Sequence, residues 1–224
     1  MKTELREKAL SFGAEICGFA GIERFVGAPD GFHPADLFPD CKSVIAFGIA
    51  LPKGIFLAEA QLIYAYYNNF ALPLVDRLAF QTAVFLEKTY QGIGVPLPCD
   101  APYDYWDEEK MEGRGLLSMK HVAYLSGIGT LGKSTLLLNN EYGNRLVIGC
   151  VLTDLQIESD EMAAEVCLEQ CDLCIKSCLA AAIGEGHVRQ KLCRVNSFGK
   201  TKRGHDTVVC NQCRTVCPMG LGLA

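Results

Sequence analysis

Eight cysteines in the last quarter of the chain have the residue type and spacing to bind metal. The chain has 224 residues and twelve cysteines. The clustered ones are Cys167, Cys171, Cys174, Cys178, Cys193, Cys210, Cys213 and Cys217. Disulfides are rare in a reducing cytosol, where clustered thiolates more often bind soft metals or carry out redox chemistry. This segment is therefore predicted to hold a metal or redox centre.

A C-x2-C-x3-C pattern occurs twice in this segment, beginning at Cys171 and again at Cys210, 39 residues later. Bacterial ferredoxins with two clusters use a similar run, in which the last cysteine binds the other cluster. One 4Fe–4S cluster is then predicted at Cys167, Cys171, Cys174 and Cys217. The second is predicted at Cys193, Cys210, Cys213 and Cys178. Two zinc sites and a set of ordinary buried thiols are the alternatives, but zinc sites usually pair one C-x2-C with another.

A glycine-rich turn is the second motif with chemical potential. The string GIGTLGKS at 127–134 matches a phosphate-binding P-loop, G-x4-G-K-S. A P-loop needs a full helix after it, and the residues after Ser134 offer about two turns at best. The other readings are a tight turn for packing or a backbone cradle for a cofactor. The candidate cofactor-binding residues are Gly127, Gly129, Gly132, Lys133, Ser134 and Thr135.

The elements that must position these motifs follow from the apolar pattern. A helix is predicted at 3–13, and buried strands at 14–22, 43–51 and 145–157. Residues 56–90 have helical periodicity, with Pro73 expected to divide them into two helices. An acidic loop is predicted at 94–115 and an acidic linker at 158–166. The fold class is mixed α/β, with a domain at 1–160 followed by a small cluster domain at 161–224.

Composition limits the functional classes. Half of the residues are apolar and the formal net charge is −5, so a packed core is expected and a broad nucleic-acid surface is not. The N-terminus has no apolar run of a secretory signal, and no stretch approaches the roughly 20 residues of a membrane span. We therefore expect a cytoplasmic protein with no membrane partner. His121, at the start of an apolar segment, is interpreted as a core histidine.

With both motifs considered, the chain resembles the epoxyqueuosine reductase family, which is related to the reductive dehalogenases. The resemblance lies in ALSFGAEICGFAGI near the start, FHPADLFPDCKSVIAFGIALP at 32–52, HVAYLSGIGTLGKSTLLLNNEYGNRLVIGCVLTDLQI at 121–157, and the cysteines that follow. It implies a domain like the nitroreductase-related cobalamin binders, with a central sheet and flanking helices, fused to a ferredoxin-like domain. Because the chain ends at Ala224, it implies a short form without the family's C-terminal helical-repeat domain.

The same resemblance implies a function. Two 4Fe–4S clusters would pass single electrons from a redox partner protein to cobalamin, or directly to a substrate in the N-terminal domain, with residues 127–135 against the corrinoid. The family's proton-donating aspartate would fall at Gly113, so no catalytic residue is assigned; Asp100, Asp104 or Glu112 of the acidic loop could supply the acid. A modified nucleoside is a candidate substrate, although the net charge argues against tRNA. The alternatives are a non-enzymatic electron-transfer partner and an ATP-binding reductive activator.

Overall fold

The computed structural model describes residues 1–103, 105–184 and 186–223. Asp104 of the acidic loop and Ala224 at the end of the predicted cluster domain lie outside the described residues. The helices are α1 (Lys2–Ser11), α2 (Pro34–Leu37), α3 (Lys53–Leu57), α4 (Gln61–Tyr90), α5 (Met119–Leu125), α6 (Leu173–Lys176), α7 (Gln190–Ser197) and α8 (Gln212–Thr215). The strands are β1 (Ile16–Gly21), β2 (Ser43–Ala50), β3 (Gly94–Leu97), β4 (Tyr105–Asp107), β5 (Glu112–Arg114), β6 (Thr130–Leu131), β7 (Leu137–Leu138), β8 (Leu146–Thr153), β9 (Ile183–Gly184), β10 (His187–Val188), β11 (Phe198–Lys200) and β12 (Asp206–Val208).

Four strands form the central sheet in the order β1-β2-β8-β3, and each neighbouring pair is antiparallel. The apolar runs predicted as strands form β1, β2 and β8, which confirms those predictions. Both faces of the sheet are covered, so β2 and β8 have apolar residues on both sides instead of an alternating pattern. The fold is therefore mixed α/β, as predicted.

Each face of the sheet supports a separate layer of core. On one face α1 and α4 pack over the strands, and the buried residues include Leu5, Phe19, Ile45, Phe47, Val75 and Leu86. On the other face lie α5 and the glycine-rich turn, and the buried residues include Ala20, Val44, Val122, Ile128, Cys150 and Leu152. The second layer is the one that carries the glycine-rich turn to the cysteine segment.

Helix α4 corrects the prediction of two helices, because it runs from Gln61 to Tyr90 with Pro73 inside it. A proline cannot donate to the carbonyl four residues earlier, here that of Asn69. Both Pro73 and Asn69 are exposed, so water can satisfy this carbonyl. On the opposite side Val75 and Leu78 are buried in the core, and that packing holds the helix together across the proline.

The segment at 94–115 is not the simple loop that its composition predicted. It contains the edge strand β3, which pairs with β8, and the hairpin of β4 and β5. These strands are only three or four residues long, which is too short to show the apolar alternation that identifies a strand.

The acidic segment at 158–166 has no helix or strand, but it is fixed to the sheet and is not a free linker. The Asp160 N–H donates to the carbonyl of Phe19 at 2.9 Å, and the Asp160 carboxylate accepts from the Phe19 N–H at 3.1 Å. That carboxylate also pairs with Lys2 at 2.8 Å and with Arg6. Burial disfavours its charge, but the two cations outweigh that effect and hold the pKa of Asp160 below its usual value.

Within the described ranges, every helix is too short or too polar to serve as a membrane span.

Candidate metal centre and ligand cavity

The cysteine segment folds as two matching halves, as the repeated spacing suggests. Asp172 precedes α6 and Asn211 precedes α8, and both adopt nearly the same backbone angles, with φ of −134° and −131°. The turn hydrogen bonds repeat as well: the Ala181 N–H donates to the backbone carbonyl of Cys178 at 2.8 Å, and the Gly220 N–H donates to the backbone carbonyl of Cys217 at 2.9 Å. α6 and α8 pack against each other, and Cys217 of the second half lies close enough to Cys167, Cys171 and Cys174 of the first for their thiols to affect its pKa.

Four of the predicted ligands line one small cavity between the two halves. The cavity holds about 350 Å³ including its mouth. Its cysteines are Cys167, Cys171, Cys174 and Cys217, which is the first predicted ligand set. Burial and the neighbouring thiols raise the pKa of Cys174 and of Cys217, so a bound cation would be needed to favour their thiolates.

Three members of the second predicted set, Cys193, Cys210 and Cys213, lie close to one another. Burial raises the pKa of Cys213 to about 11; nearby Arg214 opposes this, while the thiols of Cys193 and Cys210 add to it. The fourth member, Cys178, accepts a hydrogen bond at its Sγ from the Ala182 N–H at 3.3 Å. The thiol of Cys174 also acts on Cys213, which places the two sets side by side.

Over the part of the chain that the structure describes, no three Cys, His, Asp or Glu side chains are arranged to hold a single metal ion. Zinc bound by four thiolates would need sulfur atoms about 2.3 Å from one point. The first set of cysteines instead surrounds a space, which suits a larger group.

The glycine-rich turn adjoins this cavity. Gly132, Lys133 and Ser134 line it together with the four cysteines. Gly127 has φ of +73°, and a Cβ there would lie 2.2 Å from the carbonyl oxygen of Glu161. A Cβ on Gly129 would lie 2.4 Å from the carbonyl oxygen of Leu138, so both glycines are required for close backbone packing. Thr135 has φ of +61° at the tip of the turn.

The turn does not have the structure of a P-loop, so the motif on which the ATP-binding alternative rested is not formed. A hairpin of β6 and β7 surrounds Ser134, where a P-loop would begin a helix. Lys133 points its ammonium group at backbone carbonyls: Nζ donates to Cys171 at 2.8 Å, to Leu168 at 3.4 Å and to Glu169. Neither a helix N-terminus nor the lysine is available for a phosphate.

The residues that follow the turn hold the other half of the cysteine segment. The Asn144 N–H donates to the backbone carbonyl of Gly220 at 2.9 Å, and the Asn144 side-chain amide donates to the backbone carbonyl of Arg214 at 3.1 Å. The buried Arg145 donates to the carbonyls of Leu221 at 3.3 Å and Leu51 at 2.6 Å. Residues 133–145 therefore fix both halves of the cysteine segment to the sheet.

A second, larger cavity lies between α5, the loop at 24–32 and the hairpin of β4 and β5. It holds about 1410 Å³ including its open mouth, which is large for a ligand site. The apolar wall includes Phe25, Phe32, Leu117, Val122 and Leu125. The polar or charged side chains are Arg24, Arg114, Ser118, His121, Tyr124 and Gln190. None of the predicted cofactor-binding residues at 127–135 is among the residues that line it.

His121 faces this cavity instead of the core, which differs from the interpretation of the sequence. Its Nδ1 lies 2.7 Å from the Ser118 hydroxyl, one turn earlier at the start of α5. Burial among the cavity walls, helped by the charge of Lys120, lowers the pKa of His121. Gly113, the position expected for the family's aspartate, also lines the cavity. No Asp or Glu is among the described residues of its lining.

The hairpin wall of the cavity is attached to the cysteine segment through α7. The Gln190 side chain accepts from the Gly113 N–H and donates to the Gly113 carbonyl, both at 3.1 Å. Arg194 lies over the rings of Tyr103 and Trp106, at 5.5 and 5.2 Å from their centres. Sequence reasoning missed Gln190, because a single glutamine in a basic stretch has no recognisable spacing.

The four scattered cysteines are structural. Cys17, Cys41 and Cys150 are buried, and burial raises the pKa of Cys17 to about 12. The pKa of Cys99 is also about 12, because of burial and the neighbouring Asp76. A thiol with so high a pKa is a poor nucleophile.

A scan against models of protein families gave no match. Among curated proteins, the epoxyqueuosine reductase of Listeria monocytogenes is 33% identical over 224 aligned residues, covering 91% of this chain and 55% of the relative. That of Bacillus subtilis is 24% identical and covers 99% of this chain and 64% of its own length. The chain resembles epoxyqueuosine reductases over almost its entire length. It spans between half and two thirds of the length of these relatives.

Solved structures give the same similarity of fold. The epoxyqueuosine reductase from Streptococcus thermophilus has a TM-score of 0.68 and 20% identity, covering 100% of this chain and 67% of its own. Another epoxyqueuosine reductase, in complex with an epoxyqueuosine-modified tRNA stem loop, has a TM-score of 0.66 and 21% identity, covering 98% and 65%. A reductive dehalogenase described with B12-dependent dehalogenation has a TM-score of 0.59 and 15% identity, covering 91% and 27%.

Proposed function

We propose that this chain is an iron–sulfur reductase of the epoxyqueuosine reductase type. In this proposal residues 161–224 form a ferredoxin-like domain with two 4Fe–4S clusters, and residues 1–160 form the domain that binds cofactor and substrate. The observation that carries the proposal is the convergence of Cys167, Cys171, Cys174 and Cys217 on one cavity. Cys217 comes from the other half of the repeat, more than forty residues after Cys174, so the fold brings together thiols from both halves.

The residues present fit an iron–sulfur cluster. Soft thiolates are the ligands that such clusters use. Backbone N–H groups also face some of the sulfurs, those of Ile175 at Cys174, Ala182 at Cys178 and Met219 at Cys217. The repeated turn around Cys178 and Cys217 is consistent with ligand exchange between the halves, each supplying its last cysteine to the other cluster.

The packing of the cysteine segment supports the same proposal. Among its described residues from 167 onwards, the buried side chains are Ala182, Ile183 and Asn211. Such a small apolar core cannot offset the conformational entropy of ordering more than fifty residues. Metal–thiolate bonds would supply the missing stability, as they do in other small metal-binding domains.

We place cobalamin, or the substrate alone if no corrinoid binds, in the larger cavity. Its volume and apolar wall fit a large ring, and Arg24, Ser118 and Arg114, which also pairs with Glu112 at 2.8 Å, can donate to amide and phosphate oxygens. Bound cobalamin supplies a strongly reducing cobalt centre. The protein's own contribution is to position the reactants, exclude water behind Phe25 and Leu125, and deliver protons.

His121 is the proposed proton donor. Removal of an epoxide oxygen as water consumes two electrons and two protons, so the site needs a group that can protonate oxygen. With Nδ1 directed to Ser118, the Nε2 atom of the imidazolium is free to donate to an oxygen in the cavity. His121 would therefore take the part that the family assigns to an aspartate.

A modified nucleoside within tRNA is the proposed substrate, as in the tRNA stem-loop complex of the relative. The net charge of −5 disfavours RNA binding by the whole surface, but the charged residues that line the cavity are Arg24 and Arg114, both positive. Local charge at the site governs phosphate contacts more than the average over the chain.

The first experiment measures metal in protein purified without oxygen. We expect about eight iron atoms per chain, four for each cluster. Cys217→Ser should lose about half of this iron, because Cys217 lines the first cavity, while the matched control Cys99→Ser should retain all of it. Zinc in place of iron, or full iron in Cys217→Ser, would refute the cluster assignment.

A second arm of the experiment separates the enzyme from an electron-transfer partner. Iron-loaded protein is titrated with cobalamin and then supplied with reductant and an epoxyqueuosine-bearing tRNA stem loop. A shifted cobalamin spectrum and loss of the epoxide support the reductase. Full iron with no cobalamin binding and no turnover would favour the non-enzymatic electron carrier.

A further inference from the structure

We infer that Lys133 is a positioning residue for the first cluster, and that its charge raises the reduction potential of that cluster. The inference rests on the proposed function, because it concerns the group bound by Cys167, Cys171, Cys174 and Cys217. It gives a role to the lysine of the glycine-rich motif, which the P-loop reading would have used for ATP.

The contacts of Lys133 are specific to the loop that begins the first cysteine run. Its Nζ donates to the carbonyl oxygens of Leu168, Glu169 and Cys171, so the three N–H donors of the ammonium group meet three acceptors. These carbonyls belong to residues 168–171, the short stretch that follows Cys167 and ends at Cys171. One side chain from the sheet domain therefore fixes the geometry of the extended Cys167-x3-Cys171 spacing, which departs by one residue from the ferredoxin run.

The rigid support of Lys133 makes it suitable for this task. It follows Gly132 in the hairpin of β6 and β7, and Thr135 N–H donates back to Gly132 at 2.7 Å. The buried Asn139 side chain ties that hairpin to Ile128 at 2.6 Å and so to the core. The ammonium group consequently projects from a fixed turn, not from a mobile surface loop.

The charge has an electrostatic consequence because Lys133 itself lines the cavity. Reduction adds an electron to a cluster that four thiolates already make negative. A half-buried cation beside it stabilises the reduced form more than the oxidised form. The nearby Glu165 carboxylate, which accepts from the Cys167 N–H at 3.0 Å, acts in the opposite direction, so Lys133 offsets it.

The test compares Lys133→Gln and Lys133→Arg with the wild type, all loaded with iron and sulfide in the absence of oxygen. Lys133→Gln keeps a hydrogen-bond donor but loses the charge. Its first cluster should be reduced with an equilibrium constant about tenfold smaller, equivalent to a potential about 59 mV more negative for one electron. Lys133→Arg keeps the charge and should restore most of the difference. The potentials are measured by redox titration with electron paramagnetic resonance.

Lys202→Gln is the matched control, since it also removes one positive charge, but from an exposed position in the cysteine segment. It should leave the potential unchanged. Wild-type iron content with identical potentials in Lys133→Gln and wild type would overturn this inference and leave the cluster assignment standing. Absence of iron from the wild type would overturn both.

Discussion

Among the described residues that line the larger cavity, His121 is the one suited to donate a proton near neutral pH. The described lining of this cavity contains arginines, a tyrosine and His121, and histidine is the side chain whose ordinary pKa lies near neutral pH. Ser118 orients the ring from one turn away. Burial among the cavity walls and the charge of Lys120 both disfavour the imidazolium, so the protonated form is populated at more acidic pH than for a free histidine. Arg24 and Arg114 line the same cavity.

From this environment we predict the pH dependence of turnover. The lowered pKa means that His121 is mostly neutral at pH 7, and a rate that needs the imidazolium should rise as the pH falls towards a value below 6.5. His121→Gln should lower the rate by about 100-fold and abolish this acidic limb. Rates measured between pH 5 and 8 provide the check. The exposed control His187→Gln should behave as wild type, and an unchanged limb in His121→Gln would exclude the imidazole as the donor.

At the scale of secondary-structure elements, the contact between the β4–β5 hairpin and α7 links the cysteine segment to the larger cavity. That helix carries Cys193 of the second predicted cluster, and the hairpin forms a wall of the larger cavity through Gly113. Gln190 bridges the two with paired hydrogen bonds, so the cysteine segment and the cavity wall are mechanically connected.

Gln190→Ala should therefore loosen this wall. Each lost hydrogen bond contributes about 1 kcal/mol, so the free energy of unfolding should fall by about 1–2 kcal/mol. The sharper measurement is amide hydrogen exchange, which should accelerate at Gly113 because its N–H loses its acceptor. The exposed control Gln156→Ala should alter neither quantity. Unchanged exchange at Gly113 would mean that the hairpin is held by Arg194 and the aromatic rings alone.

Elements with a strong apolar pattern could be predicted, and those that depend on partners could not. β1, β2 and β8 were identifiable because buried strands need continuous apolar residues. The prediction of a helix break at Pro73 was wrong. The helix continues because the Asn69 carbonyl, which loses its donor at Pro73, faces water, and that exposure depends on how the helix lies on the sheet. The glycine-rich string matched a P-loop because its sequence does not show what Lys133 contacts. Those contacts lie in a cysteine segment more than thirty residues later. The four cysteines predicted as the first set do line one cavity, but whether they and the second set bind clusters remains a prediction from the repeated spacing.

On the scale of the molecule, stability is unevenly divided. The sheet domain has packed layers on both faces, with residues such as Phe19, Phe47 and Leu152 fully buried. The cysteine segment has almost no apolar core of its own and depends on contacts with residues 133–145 and, in our proposal, on metal. The two parts should therefore respond differently to the loss of iron.

Removal of iron with a chelator under anaerobic reducing conditions should unfold the cysteine segment and spare the sheet. Hydrogen exchange at 167–217 should rise towards that of an unfolded chain, because the metal–thiolate bonds contribute its folding free energy. Amides of β1, β2 and β8 should remain protected, since their hydrogen bonds lie between two apolar layers. Reloading iron and sulfide should restore protection in wild type, but Cys217→Ser should recover it only in part. Loss of protection in both regions together would mean that the chain is one cooperative unit, and full protection at 167–217 without iron would show that packing alone sustains the segment.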